Sequence, residues 1–300
     1  MIISASRRTD IPTHYGEWFI NRLKEERVDV VNPFNRKQMR TVDLSPDNID
    51  AIVLWTKNPA PFFPYLDHLD DNGYNYYFHY TLNNYPKIFE PHMPDLETRI
   101  GYFKTLSERI GKERIILRYD PIIISEITPI AFHRNNLEMI RDELTDHTET
   151  LVISFLDIYR KISGRIKRIE KENDVHIVDV NKERNFHYIK ECCEAIDRVF
   201  GKSHIRTTSC SEPFDLSGYG IEHGSCIDAA LINRLFDREV LYKKDRNQRP
   251  KCLCTQAVDI GAYNTCISNC KYCYANYSEK VIKKNYDDHD PGATSLLPIR

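Results

Sequence analysis

Short apolar runs alternate with longer amphipathic stretches along most of the chain. Runs rich in β-branched and aromatic residues predict buried strands, and apolar residues at helical spacing predict helices with one buried face. The predicted strands cover residues 2–6, 49–55, 74–81, 114–118, 151–156, 203–208 and 257–260. The predicted helices cover residues 12–26, 62–71, 95–110, 129–144, 182–200 and 227–236, and a last helix begins within 274–284. Residues 28–44 are expected to be irregular or hairpin-like, and a charged connector is expected after residue 156.

The order of these elements predicts an α/β fold. About seven strand–helix units follow one another, and such alternation favours a parallel sheet with helices outside. The chain has 300 residues, without an internal repeat or an obvious linker. We therefore expect one domain over residues 1–300, built as a complete or partial TIM-like parallel βα barrel.

Nearly every predicted strand ends in polar residues. In parallel barrels the chemistry lies at the carboxyl ends of the strands. Three of these residues, His79, Arg118 and Asp120, are our candidates for polar contacts with a substrate or cofactor, because His79 and Arg118 lie within otherwise apolar runs. The alternative is that these residues only form the polar turns in which strands commonly end. The strand-end residues are Arg7, Arg8, Asp10, Lys57, Asn58, His79, Thr81, Arg118, Asp120, Ser154, Asp157, Thr208, Cys210 and Glu212.

Composition narrows the class of protein. The net charge is −2 and 41% of the residues are hydrophobic, so the chain is expected to be globular, without the basic footprint of a nucleic-acid-binding protein. The most basic run, residues 160–171, is expected to be a solvated helix face. We find no signal peptide and no apolar run of membrane-spanning length, which favours a cytoplasmic protein. In a reducing cytosol, nine cysteines are more readily metal ligands than disulfides.

Three cysteines lie close together near the end of the chain. Cys266, Cys270 and Cys273 have the spacing C-x3-C-x2-C and follow the predicted strand 257–260. The thiols are therefore expected on a loop at the carboxyl end of a strand. Closely spaced cysteine thiolates on one loop favour an iron–sulfur cluster. A zinc site and buried reduced thiols are the alternatives.

Six further cysteines fall into two groups. Cys192 and Cys193 are neighbours in a predicted helix and point in different directions, so we expect thiols that only pack. The other four are candidates for a second metal site, either a [4Fe–4S] cluster or zinc, with scattered reduced thiols as the alternative. These four are Cys210, Cys226, Cys252 and Cys254.

The cysteine spacing resembles that of the radical S-adenosylmethionine (radical SAM) superfamily. The surrounding residues, 263–266 (YNTC) and 272–276 (YCYAN), resemble its branches near spore photoproduct lyase. The stretches ISASRRTDIP, IVLWTKNP, LRYDP and HGSCID make the whole chain similar to a bacterial family without an assigned function. The resemblance implies a [4Fe–4S] cluster held by three cysteines, with S-adenosylmethionine on the open iron. It also implies an enzyme that generates a 5′-deoxyadenosyl radical, acts on an unknown substrate and receives electrons from a donor such as flavodoxin or ferredoxin.

The chain departs from that superfamily in the position of the motif. The motif is usually near the amino terminus, whereas here the cluster-binding unit would span residues 252–285. A circularly permuted barrel accounts for this difference, because barrel termini lie close together at the surface. The hypothesis predicts that strand 2–6 lies beside strand 257–260.

A second departure is that the Gly-Gly-Glu motif of many superfamily members is missing. In its place we expect Ser6, Arg8 and Asp10 to face the cofactor or substrate, since these side chains can bind carboxylate, ammonium or hydroxyl groups. The alternative is that Asp10 and Arg7 only cap the following helix. Tyr272 and Tyr274 are expected near the cluster or the adenine.

Two rival functions remain, a metal-dependent hydrolase and a nucleic-acid-binding protein, and two segments could cover the site as lids. A metal-dependent barrel hydrolase would use the cysteines as structural zinc ligands and would bind its catalytic metal through His79 and Asp120. Against it, 11 histidines and 44 acidic residues include no H-x-H or H-E-x-x-H motif. A nucleic-acid-binding protein would stack bases on tyrosine-rich strands, although the near-neutral charge disfavours it. The hairpin region 28–44 and the loop 218–224 are candidate lids.

Overall fold

The computed structural model describes residues 1–33 and 35–298, so Phe34, Ile299 and Arg300 of the predicted single domain lie outside the described residues. The strands are β1 (Ile2–Ala5), β2 (Arg27–Asn32), β3 (Asn35–Asp43), β4 (Ala51–Thr56), β5 (Tyr76–Thr81), β6 (Ile115–Ile122), β7 (Thr150–Phe155), β8 (Arg206–Cys210), β9 (Glu222–Gly224) and β10 (Val258–Asp259). The α-helices are α1 (Ile11–His14), α2 (Gly16–Lys24), α3 (Leu66–Asp71), α4 (Leu96–Ile110), α5 (Ile130–Leu144), α6 (Arg160–Asn173), α7 (Phe186–Phe200), α8 (Ala229–Phe236) and α9 (Glu279–Asp287).

A parallel sheet forms the centre of the described part of the molecule. It has eight strands in the order β10-β1-β4-β5-β6-β7-β8-β9, and the neighbours pair in parallel. The helices that connect the strands pack against it, as expected for consecutive strand–helix units. The prediction of an α/β protein on a parallel sheet is confirmed.

The first and last strands of the chain are neighbours in this sheet. Ile3 pairs with Val258 and Ser4 pairs with Asp259, both in parallel register. The strand that leads into the cysteine loop therefore lies beside the first strand of the chain. This is the pairing that the circular permutation predicts.

The two faces of the sheet have different surroundings. One face packs against the apolar sides of helices such as α2, α4 and α7. The other, inner face carries an apolar layer near the amino ends of the strands, including Tyr77 and Ile116, and α8 covers this layer. Since side chains two residues apart share a face, His79 and Arg118 continue the inner face toward the carboxyl ends.

Local sequence signals explain the elements that agree with prediction. Helix α4 begins after Asp95, whose side chain accepts a hydrogen bond from the Thr98 N–H, and ends at Gly111, whose φ is 93°. A carboxylate N-cap and a glycine at the end are standard helix boundaries. The predicted helix 12–26 is instead two helices, α1 and α2, which are separated by Tyr15 at a non-helical φ of −136°.

The expected charged connector after residue 156 is the helix α6. Its buried residues Ile162, Ile166 and Ile169 recur at helical spacing and pack against Leu156 and Ile177. In the sequence, the abundant lysines and arginines on the rest of the helix obscure the helical spacing of these three isoleucines. The prediction of a connector was therefore wrong, because three buried residues on one face suffice to dock a helix.

One of the two candidate lids lies away from the carboxyl ends of the strands. Strands β2 and β3 form an antiparallel hairpin, and the Tyr74 hydroxyl, just before β5, donates to the Leu44 carbonyl at the hairpin base. The hairpin base therefore lies at the amino ends of the strands, opposite the carboxyl ends that a lid would cover. The loop 218–224 ends in β9, which pairs with Thr208–Cys210 at the carboxyl end of β8, so its role as a lid stays a prediction. None of the described helices has both the length and the apolar character of a membrane span.

Candidate functional site

The cysteine loop joins β10 to α9 and has little regular secondary structure. Two asparagines, Asn264 and Asn269, adopt left-handed backbone conformations with φ of 57° and 50°. Asparagine tolerates this conformation better than most residues, because its short polar side chain can hydrogen-bond locally. Here the Asn264 side chain accepts a hydrogen bond from the Tyr277 N–H at 2.8 Å. The loop is thus turned sharply on both sides of Cys266.

Arg165 of α6 holds the loop from one side. Its guanidinium donates to the carbonyls of Cys270 at 3.0 Å and Cys273 at 3.1 Å, and also to the Asn276 carbonyl. It donates to the Asn269 side-chain oxygen at 3.3 Å. A planar guanidinium can satisfy several acceptors at once, which an ammonium cannot do in the same geometry. Arg165 therefore fixes the backbone next to two of the three cysteines.

Helix α1 and the end of the loop fix the other side. The Tyr15 hydroxyl donates to the Thr265 carbonyl at 2.6 Å, and the His14 ring shares a hydrogen bond with the Ser268 hydroxyl at 2.7 Å. The Asn276 side chain donates to the Cys266 carbonyl at 2.7 Å. The backbone of Cys266, like that of the other two cysteines, is thus fixed by hydrogen bonds from side chains.

The three thiols lie in a mostly buried environment. Burial raises the pKa of the Cys270 and Cys273 thiols. Burial also raises the pKa of Cys266, but contact with the His14 ring outweighs it and the net pKa is lowered. The Cys273 N–H donates to the Cys270 carbonyl at 3.1 Å, and both residues pack in the same apolar cluster. The loop thus carries one buried and two partly buried thiols.

A buried charge network lies beneath the loop. The Glu90 carboxylate accepts hydrogen bonds from Lys57 at 2.8 Å and from the Tyr272 hydroxyl, and the Arg99 guanidinium lies 3.8 Å away. The Asn83 side chain lies 3.5 Å from the Tyr272 hydroxyl. Glu90 is 1% exposed, and such a charge is stable only when it is paired. Tyr272 is thereby fixed beside Cys270 and Cys273.

Residues that follow β1 contact the start of the cysteine loop. The Ser6 hydroxyl and the Arg7 N–H donate to the Asp259 carboxylate at 2.8 and 2.9 Å, and the Arg8 guanidinium lies 3.9 Å from it. The Arg8 guanidinium also lies over the Tyr263 ring at 5.4 Å. Ser6 and Arg8 thus line the junction between the first strand and the loop. The Tyr274 hydroxyl donates to the Arg7 carbonyl at 2.9 Å at the same junction.

Asp10 has a structural partner for each carboxylate oxygen. It accepts from the Thr13 N–H at 2.9 Å and so caps α1, and it accepts from the Lys57 N–H at 2.8 Å. The capping that we gave as the alternative is therefore present. Burial lowers the pKa of the partly buried His14, but contact with the Cys266 thiol and, to a smaller extent, the Asp10 charge outweigh it, and the net pKa is raised.

The other four candidate cysteines come together at the carboxyl end of the inner face. The Cys210 and Cys226 sulfurs are 3.1 Å apart. Cys252 and Cys254 lie in the same buried cluster as Cys226, and the Cys254 N–H lies 3.5 Å from the Cys252 sulfur. We call these residues, Cys210, Cys226, Cys252 and Cys254, the four-cysteine group. Cys192 and Cys193, by contrast, are buried in the core beneath α7, as predicted.

His79, Arg118 and Asp120 lie against this group. Arg118 donates to the Cys226 sulfur at 3.0 Å and forms an ion pair with Asp120. The His79 ring lies 3.5 Å from the Arg118 guanidinium, shares a 2.7 Å hydrogen bond with the Cys226 carbonyl, and stacks on Trp55. Burial and the Arg118 charge lower the pKa of His79 to about 3, so the ring is neutral.

No three His, Cys, Asp or Glu side chains within residues 1–33 and 35–298 are arranged as they lie to hold a metal ion. This holds for the cysteine loop and for the four-cysteine group, whose thiols pack against one another. The chemistry of the donors still fits a thiophilic metal, because both sets consist of closely spaced cysteines with limited exposure.

Sequence reasoning missed several residues that shape the site. Arg165 was assigned to a solvated helix face, and Glu90, Arg99 and Asp259 were not considered. Their contacts with the loop join residues far apart in the chain, which no spacing rule reveals. A weak signal existed for Glu90, which is a lone carboxylate between Phe89 and Pro91.

A cavity of about 450 Å³ opens beside the loop, next to Cys266. It would give a small molecule access to this side of the loop. Its lining residues are Thr13, His14, Asn58, His92, Met93, Pro94, Ile267 and Ser268.

Comparison with known proteins identifies a family model that matches most of the chain. A family model described as a domain of unknown function (DUF1848) matches residues 2–275. No curated protein and no solved structure matches the chain. The matched residues include the central sheet, the cysteine loop and the four-cysteine group.

Proposed function

The chain belongs to the family described as a domain of unknown function (DUF1848), and since that description assigns no reaction, we propose from the site itself that the protein is a radical S-adenosylmethionine enzyme. The observation that carries the proposal is the position of the cysteine loop. A C-x3-C-x2-C loop follows a strand that pairs with β1, so it stands at the carboxyl edge of a parallel sheet despite its place in the chain. A circularly permuted partial barrel would have this arrangement.

The ligand set fits a [4Fe–4S] cluster with one open iron. Cys266, Cys270 and Cys273 would hold three irons, and no fourth cysteine lies in the loop. When bound, such a cluster supplies the one-electron cleavage of S-adenosylmethionine to a 5′-deoxyadenosyl radical. The residues of the chain would orient and shield the reactants.

The surrounding side chains have distinct tasks in this proposal. Arg165 positions the loop backbone, and the buried Tyr272 and Glu90 form a dry floor beneath Cys270. Ser6 and Arg8 line the side toward β1, where hydroxyl and guanidinium groups can bind the polar parts of a cofactor. His79, Arg118 and Asp120, which lie at the carboxyl ends of β5 and β6 beside Cys226, would supply polar contacts to a substrate. Exclusion of water protects a reactive radical.

The proposal requires an electron donor such as flavodoxin or ferredoxin and a reducing compartment, for which we propose the cytoplasm. The rival hydrolase is disfavoured by His79, because its two ring nitrogens lie against the Cys226 carbonyl and the Arg118 guanidinium. A metal ligand needs a free ring nitrogen.

Electron paramagnetic resonance tests the proposal. The protein is reconstituted anaerobically with iron and sulfide, reduced with dithionite, and measured with and without S-adenosylmethionine. We expect a [4Fe–4S]⁺ signal that changes when S-adenosylmethionine is added and that is lost in Cys270→Ala. The matched control is Cys193→Ala, which removes a buried thiol outside the loop and should keep the signal. A protein that takes up zinc but no iron, or a signal that Cys270→Ala leaves intact, would overturn the proposal.

A further inference from the structure

We propose that Cys210, Cys226, Cys252 and Cys254 bind a single tetrahedral, thiophilic metal ion of the zinc type that joins the two edges of the sheet. This site is separate from the cysteine loop and does not depend on the radical function. It rests on the packing of the four sulfurs, the donors that point at them, and the segments from which they come.

The sulfurs form a continuous series of contacts. Cys210 ends β8 and Cys226 follows β9, and their sulfurs are 3.1 Å apart. Cys252 and Cys254 belong to the same buried cluster as Cys226, and Cys210 packs against that cluster. Cysteines from three separate stretches of the chain thus meet at one point, which scattered packing thiols would not need to do.

Hydrogen-bond donors surround these sulfurs. The Ile227 N–H lies 3.4 Å from the Cys254 sulfur, and the Cys254 N–H lies 3.5 Å from the Cys252 sulfur. The Arg118 guanidinium donates to Cys226 at 3.0 Å. N–H groups that point at sulfur stabilise thiolates, which are the form that binds metal.

A second arginine adds positive charge beside the group. The Arg7 guanidinium lies 5.7 Å from the centre of the Trp55 ring, which the Arg118 guanidinium also approaches at 5.2 Å. The Arg7 Nη1 pairs with Asp245 at 3.5 Å, whereas its Nη2 is buried without a hydrogen-bond partner. An ion held by four thiolates carries a net negative charge, so nearby guanidinium groups compensate it. Asp120 and Asp245 already pair with Arg118 and Arg7, and the unpartnered Arg7 Nη2 is the donor that a metal-bound thiolate would satisfy.

The spacing of the sulfurs favours one ion over a cubane cluster. Ligands of one tetrahedral zinc lie about 3.8 Å apart, given Zn–S bonds of about 2.3 Å. The Cys210 and Cys226 sulfurs need to separate only from 3.1 Å to that distance. The sulfurs around a [4Fe–4S] cluster bind four different irons and lie farther apart.

The segments that carry the group explain what the ion would do. Cys210 and Cys226 belong to the β8–β9 edge, whereas Cys252 and Cys254 lead into β10 at the opposite edge. Between α8 and β10 the chain has little regular structure and few backbone contacts, such as the Thr255 N–H to the Ile227 carbonyl at 2.8 Å. An ion bound here would fasten this segment to the sheet.

Metal analysis of the full chain tests this inference. Cys266, Cys270 and Cys273 are replaced by alanine, so that the loop cannot bind metal and the radical proposal cannot affect the result. We expect about one equivalent of zinc per chain, or of cobalt with thiolate charge-transfer absorption, after dialysis. Cys226→Ser in this background should lose the metal, whereas the matched control Cys193→Ser should keep it.

A second measurement does not depend on the folding of a variant. With zinc added, the four cysteines should resist alkylation, as mapped by peptide mass spectrometry, and EDTA should remove that protection. Three results would overturn the proposal: no bound metal, a disulfide between Cys210 and Cys226, or iron and sulfide in the ratio of a cubane cluster.

Discussion

At the scale of single residues, the conformation of the cysteine loop depends on side chains that are distant in sequence. Arg165 donates to acceptors on Asn269, Cys270, Cys273 and Asn276. A backbone carbonyl that loses its donor in a mostly buried place costs free energy, since water cannot replace the bond freely. Replacing Arg165 should therefore destabilise the conformation of the cysteine loop.

Arg165→Lys tests this role. An ammonium cannot reach four acceptors, so we expect a loss of about 1–3 kcal/mol in the free energy of unfolding. Amide hydrogen exchange over residues 264–277 should become faster, and the reconstituted protein should hold less iron. Arg168→Lys on the exposed side of the same helix is the control, with an effect within about 0.5 kcal/mol. Unchanged exchange in Arg165→Lys would contradict the anchoring role.

His133 makes stability depend on pH. Burial lowers its pKa from 6.5 to about 4 despite its contacts with the Ile123 and Thr128 carbonyls, and its ring also shares a 2.9 Å hydrogen bond with the Tyr119 hydroxyl. Between these pH values the unfolded chain binds more protons than the folded chain. The free energy of unfolding should therefore fall as the pH drops from 6.5 toward 4, by up to about 1.4 kcal/mol per pH unit.

His133→Gln should remove this part of the pH dependence, because an amide cannot take up the proton yet can both donate and accept. Urea unfolding at several pH values between 4.5 and 7 measures the slope for the variant and the parent protein. The exposed His92→Gln is the matched control and should leave the slope unchanged. Equal slopes in His133→Gln and the parent would show that other groups cause the dependence.

At the scale of elements, the junction between β1 and β10 determines where the cysteine loop begins. Asp259 accepts hydrogen bonds from the Ser6 hydroxyl, the Arg7 N–H and the Gly261 N–H, at 2.8, 2.9 and 3.0 Å. One carboxylate thus joins the end of one strand to the first turn after the other. The two backbones are so close that a Cβ at Gly261 would lie 2.0 Å from the Ser6 hydroxyl oxygen.

Gly261→Ala should force this junction apart. Overpacking of this kind typically costs about 1–3 kcal/mol, and the loop should also hold less iron after reconstitution. Gly101→Ala in the middle of α4 is the matched control, because a Cβ there meets no atom within 4 Å. That variant should be more stable by about 0.5–1 kcal/mol, since glycine is a poor helix residue. Thermal unfolding of both variants measures the contrast, and a neutral Gly261→Ala would refute the close approach.

The elements also show what sequence patterns can and cannot predict. The bounds of α4 followed from a capping aspartate, a terminal glycine and an apolar stripe, all of which are local. Residues 160–171 were expected as a solvated helix face, and the buried stripe of α6 was missed because its three isoleucines are outnumbered by charged residues. The convergence of the four-cysteine group could only be offered as one alternative, since sheet order rather than spacing brings Cys226 and Cys254 into one buried cluster.

At the scale of the whole molecule, the order of the strands in the central sheet differs from their order along the chain at one strand, β10. The strands run from β1 to β9 across the sheet in chain order, apart from the hairpin, and β10 then joins the first edge. The amino end of the chain contacts Asn48 and Asp50, and Thr294 near the other end contacts Asp29. Both ends therefore approach the segments around the β2–β3 hairpin, so a linker could join them without crossing the site.

A rearranged chain tests whether the β1–β10 pairing, rather than the chain order, determines the fold. The chain is opened between the exposed residues Arg238 and Glu239, and a flexible glycine–serine linker joins the old ends. Native contacts are then retained, so we expect a Tm within about 5 °C of the parent and the same iron content after reconstitution. Opening the chain between Phe103 and Lys104 is the control, since it divides the buried stripe of α4 and should prevent cooperative folding. If the first permutant fails to fold while the parent folds, the pairing of β10 with β1 depends on the natural connection, and the permuted-barrel interpretation loses its main support.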